Sequence, residues 1–352
     1  MDFLLLAQES VAHHPQAKLL LYGGFILFVL VMLALDLGVF NKTAHVISTS
    51  EALRWTGVCV VLALIFTGVV YYIYEHHWLG IGLGVPQFDG TRADTSGSRA
   101  AIQFLTGYVI EYSLSLDNIF VIALIFAHFA VKAEYQHRVL FWGILGALLM
   151  RGAMIAAGGA LIAKFNWIIY IFGGLLLITG IKMLVTKESE FDAEQNWAVR
   201  IARRIYPISS RFEGQKFFTR LEDGRRAMTP MFLALIVVEF TDLIFAVDSI
   251  PAIFAVTLDP FIVFTSNVFA ILGLRSLYFA LAGLMGKFRH LKVSLALVLV
   301  FVGVKMLVAK HFHLHPAVSL GVIAAILAGG VIASLAHPAK ESGSEPASGG
   351  HA

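Results

Sequence analysis

Long apolar runs, separated by short polar segments, recur along almost the whole chain. Each run is about 20 residues long, the length that an α-helix needs to cross ~30 Å of hydrocarbon. We predict about nine membrane spans, at residues 18–40, 54–74, 101–129, 138–163, 167–186, 230–257, 261–286, 291–309 and 316–337. Segments of about ten residues with alternating polarity, which are typical of membrane β-barrels, are absent from the sequence. The pattern therefore predicts an all-α polytopic membrane protein.

Within this pattern, a unit of three spans occurs twice. The sequence Glu111-x5-Asp117 recurs as Asp242-x5-Asp248 at an offset of 131 residues, and later segments of the two copies match at offsets of 124 and 123 residues. Because each copy crosses the bilayer an odd number of times, the second copy enters from the opposite side. The copies, 101–186 and 230–309, are therefore predicted to be inverted repeats, which are common in secondary transporters.

The remaining segments flank or join the two copies. We predict a two-helix segment with an outer loop at 1–100, a cytoplasmic connector at 187–229, a final helix at 310–337 and a disordered tail at 338–352. The tail is rich in Pro, Ser and Gly, a composition that cannot bury enough apolar surface to fold.

Composition and charge narrow the class further. Hydrophobic residues make up 58% of the chain and charged residues 14%, which excludes an ordinary water-soluble globule. With the N-terminus outside, 17 of the 26 Lys and Arg residues lie on the cytoplasmic side and 5 on the outer side. Since basic residues prefer the cytoplasmic side, we predict an outer N-terminus and a cytoplasmic C-terminus. Cys59 is the only cysteine, which excludes a site built from several thiolates.

Five carboxylates lie inside apolar spans, where each costs roughly 2.5–3.5 kcal/mol on insertion scales. They are Glu111, Asp117, Glu239, Asp242 and Asp248. A cation bound among them would explain their presence. Oxygen ligands favour Mg²⁺, Ca²⁺ or Mn²⁺ over softer metals. Possible secondary ligands are Asn118, Asn267 and Ser249.

The helical phase of these acids conflicts with a single simple site. Six residues of ideal helix turn through ~240°, so Glu111 and Asp117 would not share one face. Either the acids form two levels of a pathway, or the helices are broken. Pro251, shortly after Asp248, leads us to expect breaks near Asp117 and Asp248.

Two arginines within the spans, Arg151 and Arg275, are predicted to balance part of the acidic charge. Five ionised carboxylates against two arginines leave about three negative charges in a region of low dielectric constant. A divalent cation with one or two protons would bring that total near zero. We therefore predict that metal and protons compete for the site, which is the physical basis of metal/proton exchange.

Several long segments resemble the TerC/Alx family of integral membrane proteins: FLTGYVIEYSLSLDNIFV, YIFGGLLLITGIKMLV, VEFTDLIFAVDSIPAIFAVTLDPFIVFTSNVFAILGLRSLYF and FVGVKMLV. The resemblance extends from the first span to about residue 330. It implies a non-enzymatic exporter in the bacterial cytoplasmic (inner) membrane, with Mn²⁺ as the transported substrate and no tightly bound cofactor. Proton entry would drive export, and the family's acidic positions fall on the same five residues. No nucleic-acid partner is implied.

Two other functions remain to be distinguished from transport. A membrane scaffold in a metal or tellurite stress-resistance complex would need none of the acids. An intramembrane aspartyl protease could pair Asp117 with Asp248, but neither aspartate lies in a Gly-x-Gly-Asp motif. The sequence alone leaves the choice among Mn²⁺, Ca²⁺ and Mg²⁺ open, as well as the oligomeric state.

Overall fold

The computed structural model of this protein describes residues 15–35, 47–165, 167–185, 197–209, 214–221, 224–281, 291–310 and 314–336. These residues form ten α-helices and two short hairpins. The helices are α1 Pro15–Leu35, α2 Thr49–Glu75, α3 Gly97–His128, α4 Ala133–Lys164, α5 Ile168–Val185, α6 Trp197–Ile205, α7 Pro230–Phe254, α8 Pro260–Leu281, α9 Leu291–Val308 and α10 Pro316–Ala336. The strands are β1 Val85–Pro86, β2 Arg92–Ala93, β3 Phe218–Arg220 and β4 Arg226–Met228. The predicted tail at 338–352 lies outside the described residues.

Seven of these helices are long and apolar enough to cross a membrane: α2, α3, α4, α5, α7, α8 and α10. The predicted class, an α-helical polytopic membrane protein, is therefore confirmed. The predicted number of nine spans is not confirmed. The two remaining predicted spans correspond to α1 and α9, which are helical but are not among these seven, and the described apolar part of α1 is short, Leu19–Leu35.

The helices differ sharply in how much of their surface the protein covers. In α8, 83% of the most apolar window is buried, whereas the figures for α2 and α10 are 17% and 22%. Helix α8 is therefore central, and it packs against α2, α3 and α4. On α2, Leu64 and Ile65 are more than half exposed, and an apolar surface of this kind is suited to lipid rather than to water.

Helices α3 and α7 cross at the middle of the protein and run antiparallel. Gly107, early in α3, lies against Ile253, late in α7. Asn118, later in α3, bonds to Asp242, earlier in α7. Thr229 caps the start of α7, where its side chain accepts a hydrogen bond from the backbone N–H of Phe232, an arrangement that fixes where the helix begins.

Helices α5 and α9 approach each other closely because glycines line their contact. A Cβ on Gly303 would lie 3.0 Å from both the carbonyl oxygen of Gly173 and the backbone nitrogen of Leu177. A Cβ on Gly180 would lie 3.0 Å from the carbonyl oxygen of Ala296. The contacts move backwards along α9 as they move forwards along α5, so these two helices also run antiparallel. Small residues allow such close contact in membranes.

Replacing Gly303 by leucine is expected to separate α5 from α9, since the new side chain would meet backbone atoms that cannot move aside. We expect a loss of about 1–3 kcal/mol in the free energy of unfolding, measured as a lower melting temperature of the purified protein in detergent. The matched control is Gly174→Leu on α5, where a Cβ meets nothing within 4 Å. Equal melting temperatures for the two variants would contradict this packing.

The segments between the helices carry small elements of their own. The described parts of the connector contain α6 and the β3–β4 hairpin, in which Phe218 pairs with Met228. On the opposite side of the bundle, the Tyr74 hydroxyl donates to Asp259 Oδ2 at 2.8 Å. This bond ties the end of α2 to the turn between α7 and α8.

Candidate functional site: a buried, arginine-bridged acid pair

Glu111 on α3 and Asp242 on α7 meet in the interior, and we call them the acid pair. Glu111 is fully buried and Asp242 is 8% exposed. They approach each other because α3 and α7 cross nearby, although 131 residues separate them along the chain. Two carboxylates in a buried place need a cationic partner, since unpaired buried charge is strongly destabilising.

Arg151 on α4 is that partner, with a side chain that is 2% exposed. Its Nε and Nη2 atoms donate to the two carboxylate oxygens of Asp242 at 3.0 and 2.8 Å. Its Nη1 atom donates to Glu111 Oε1. The planar guanidinium thus forms a two-pronged bond to one carboxylate and a single bond to the other, a geometry that arginine provides and lysine does not.

Asn118 and Ser249 complete the immediate surroundings of the acid pair, and both are buried. The Asn118 Nδ2 atom donates to Asp242 Oδ1 at 3.2 Å. The Ser249 hydroxyl lies 3.3 Å from Arg151 Nη1 and beside Glu111. Asn118 Oδ1 and Glu111 Oε2 are buried oxygens without a hydrogen-bond partner among the described residues. The site therefore has more acceptors than the arginine satisfies.

Glu239 lies one turn before Asp242 on α7. Its carboxylate sits directly against Gly146 of α4, at the place where a side chain at position 146 would otherwise lie. Glu239 Oε2 is buried, and no described residue forms a hydrogen bond to it. Glu239 is therefore close to the acid pair but is not bridged by Arg151.

The other two predicted acids lie outside this centre. Asp117 is partly buried on α3, six residues beyond Glu111. Asp248 is partly buried on α7, and its Oδ1 accepts a hydrogen bond from the Thr179 hydroxyl of α5 at 3.0 Å. The five acids therefore occupy different levels and do not form one cluster.

The expected breaks near Asp117 and Asp248 are wrong. Helix α3 is continuous from Gly97 to His128, and α7 is continuous from Pro230 to Phe254. Pro251 lies inside α7 without ending it, and its carbonyl accepts a bond from the N–H of Ala255 at 2.9 Å. Because both helices are unbroken, the other alternative, in which the acids lie at two levels, is the one that the helices allow.

The remaining candidates, Asn267 and Arg275, lie on the central helix α8. Asn267 is fully buried, and neither polar atom of its side chain has a hydrogen-bond partner within the described ranges. Arg275 is 5% exposed and lines a cavity with Glu51 and Trp55 of α2. Unlike Arg151, it has no contact with the acid pair among the ion pairs of the described residues.

Some neighbours of the acids were not predicted from the sequence. Thr179, which bonds to Asp248, is a lone hydroxyl in an apolar span and could have been noticed. Gly146 carries no signal of its own, because a glycine in a span usually serves helix packing. Glu51, which lines the cavity with Arg275, lies in the first turn of α2, where a charged residue is ordinary.

No three His, Cys, Asp or Glu side chains converge as a ready metal site in the part of the chain that the structure describes. The centre instead holds two carboxylates around a guanidinium. Chemically, this centre can bind a cation only if the arginine moves or if further acceptors take part. It is a charged centre inside a membrane-type helical bundle, where ionisable residues are rare and indicate a functional site.

Fold and site together define a polytopic α-helical membrane protein with a buried ionic centre. The chain belongs to the integral membrane protein TerC family, whose match covers residues 96–342. It is 50% identical over 315 residues to the uncharacterized membrane protein STKORF319 of Myxococcus xanthus, covering 90% of this chain and 92% of that protein.

Other relatives carry a functional name. The chain is 46% identical over 309 residues to Alx of Escherichia coli (strain K12), which is named as a candidate membrane-bound redox modulator. That match covers 88% of this chain and 92% of Alx. An uncharacterized membrane protein of Rickettsia felis is 38% identical over 311 residues, covering 88% of this chain and 96% of its own length. No solved structure matches the chain.

Proposed function

We propose that this protein is a secondary transporter that exports Mn²⁺ from the cytoplasm in exchange for protons. One observation carries the proposal: two buried carboxylates from antiparallel helices meet at the centre of a membrane-type bundle, with acceptor oxygens left over. Ionisable groups in such a place are expensive and are typical of ion pathways.

The predicted inverted repeat supports this proposal. The sequence repeat equates Glu111 with Asp242 and Asn118 with Ser249. The contact from Asn118 to Asp242 therefore corresponds to the contact between Ser249 and Glu111. Equivalent helices of the two copies, α3 with α7 and α5 with α9, also run antiparallel, as inverted copies require. Transporters of this design bind substrate near the midplane, between the repeats.

Asp117 and Asp248, the outlying acids, place further carboxylates on either side of the acid pair. Asp117 and Asp248 each lie six residues, or ~9 Å of helix, beyond the acid pair. Because α3 and α7 are antiparallel, these extensions point to opposite sides of the bundle. With the N-terminus outside, Asp117 lies on the cytoplasmic side and Asp248 on the outer side. A cation could thus meet a carboxylate before, at and after the centre.

The ligand chemistry and the charge support a divalent cation. Carboxylate, amide and hydroxyl oxygens are ligands for Mn²⁺, Mg²⁺ or Ca²⁺. Glu111, Asp242 and Glu239, when ionised, leave two negative charges after Arg151 is counted, and either one divalent ion or two protons would neutralise them. The choice of Mn²⁺ and the outward direction rest on the resemblance to the family.

The redox name of the Alx relatives fits a metal transporter better than a thiol catalyst. Cys59 is the only cysteine of this chain, so the chain has no pair of thiols that could cycle between dithiol and disulfide. Changing the manganese content of a cell would alter its redox state indirectly. The alternative function, a non-transporting scaffold, predicts that the acids can be neutralised without effect.

Uptake of divalent ions into inverted membrane vesicles tests the proposal. Vesicles with the native protein are expected to take up Mn²⁺ and to release protons, as followed by a pH-sensitive dye, while Mg²⁺ and Ca²⁺ are compared in parallel. Asp117→Asn and Asp248→Asn are expected to reduce the uptake rate at least about tenfold, because each removes a charge worth more than ~1.4 kcal/mol to a cation in the path.

The matched control for this experiment is Glu134→Gln, at a side chain that is 41% exposed at the start of α4. Uptake by the native protein and all of these variants that equals that of vesicles without the protein would support the scaffold. Mn²⁺ uptake without proton release would contradict the proposed exchange with protons but not the proposed transport of Mn²⁺.

A further inference from the structure

The positively charged guanidinium of Arg151 already lies between Glu111 and Asp242. This guanidinium donates hydrogen bonds to both carboxylate oxygens of Asp242 and to one oxygen of Glu111. It also lies 3.3 Å from the Ser249 hydroxyl. Its side chain is 2% exposed, so water does not share these contacts to any great extent. The acid pair is thus neutralised from within.

The atoms around this guanidinium are also ligands for a hard divalent ion. Two carboxylates and a hydroxyl surround it, and the Asn118 amide is held on Asp242 through Nδ2. The Asn118 side chain is 4% exposed, and its Oδ1 has no partner in the described parts of the chain. Glu111 Oε2 is also buried and has no hydrogen-bond partner among the described residues. Buried acceptors are normally satisfied, so these oxygens indicate that a second occupant fits the site.

We propose that Arg151 is a tethered competitor of the transported cation. It fills the cation site when the carrier is empty and leaves the acid pair when the metal binds. This inference rests on the proposed function. Arginine is suited to the role because its guanidinium cannot be deprotonated in proteins, so the empty carrier never exposes two uncompensated carboxylates to the low-dielectric interior.

The displaced guanidinium has a place to go. Glu239 precedes Asp242 by three residues of α7, which is ~4.5 Å along the helix axis. Its carboxylate rests on Gly146 of α4, the helix that also carries Arg151, and its Oε2 lacks a hydrogen-bond partner in the described structure. A buried guanidinium needs a carboxylate in both states. A shift of Arg151 from Asp242 to Glu239 supplies it and frees the acid pair for the metal.

The test is Mn²⁺ binding to the purified full-length protein, with free Mn²⁺ counted by electron paramagnetic resonance. Removing the competitor in Arg151→Gln is expected to tighten binding about tenfold, within the usual range of coupling between two sites. Glu239→Gln, which removes the second partner of the arginine, is expected to weaken binding by about the same factor. In the double variant, Glu239→Gln should no longer weaken binding, because no guanidinium needs a new partner.

Each other outcome overturns part of the scheme. Weaker binding in Arg151→Gln would show that the arginine only positions the acids, and the proposed function would stand without the competitor. A Glu239→Gln penalty that persists in the double variant would make Glu239 a metal ligand and overturn the shift. No Mn²⁺ binding by either the native protein or Arg151→Gln, both folded by their melting curves, would overturn the competitor and the proposed function together.

A conservative variant covers the case in which Arg151→Gln does not fold. Arg151→Lys keeps the charge but cannot hold both carboxylates with a planar fork. It is therefore expected to bind Mn²⁺ more tightly than the native protein does, and weaker binding would again overturn the proposal. Lys132→Gln, at a side chain that is 66% exposed, is the control and should bind as the native protein does.

Discussion

Cells that rely on this protein for manganese tolerance are expected to lose that tolerance when Asp242 is replaced by asparagine. The variant removes the carboxylate that holds Arg151 through two bonds, and with it half of the acid pair. Removing one partner of a buried ion pair costs about 3–5 kcal/mol. We therefore expect both a lower melting temperature of the purified protein and growth arrest in excess manganese.

Two companion variants separate lost chemistry from lost folding. Glu111→Gln leaves Arg151 with its two bonds to Asp242, so it should be more stable than Asp242→Asn but equally sensitive to manganese. Asp94→Asn, in the loop after α2, keeps the oxygen that accepts from the Gly84 N–H and should behave as the native protein. Full tolerance in a stable Glu111→Gln variant would contradict a role for the acid pair in transport.

Cysteines placed at the two outlying acids are expected to react from opposite sides of the membrane. In a Cys59→Ala background, Asp117→Cys should be labelled by a membrane-impermeant thiol reagent in inverted vesicles. Asp248→Cys should be labelled in intact cells. The reason is geometric, because α3 and α7 are antiparallel and both acids follow the acid pair along their own helices. Both side chains are partly exposed, so a reagent has some access to them.

Reference cysteines fix the two sides in the same experiment. Glu134→Cys reports the predicted cytoplasmic side, and Asp94→Cys reports the outer side. Labelling of positions 117 and 248 from one and the same side would contradict the inverted arrangement. That labelling result would not test the contacts around Arg151.

Much of the fold could be predicted from the sequence because membrane spans are encoded by length and polarity alone. Helices α3, α4 and α7 coincide with predicted spans to within a few residues. The number of spans was not confirmed, since α1 and α9 are helical but are not among the seven helices that are long and apolar enough to cross a membrane in the described part of the chain. The break expected at Pro251 was wrong, because α7 continues through this proline to Phe254.

For the candidate site, the acids could be predicted from the sequence but their partners could not. The cost of burying charge identified the acids, since five carboxylates in apolar spans need an explanation. Which acid meets which partner could not be predicted, because Arg151 and Glu111 are 40 residues apart and reach each other only through the packing of α3, α4 and α7. The contact between Glu239 and Gly146 depends on the same packing, and a glycine gives no advance sign of it.

Manganese flux through the purified protein in liposomes tests the central claim most directly. The liposomes would contain a manganese-quenched dye and would be compared for the native protein, Glu111→Gln and Asp94→Asn. We predict saturable Mn²⁺ entry with the native protein and Asp94→Asn, and entry at the level of empty liposomes with Glu111→Gln. Equal entry with all three proteins, or none with a folded native protein, would contradict a cation path through the acid pair.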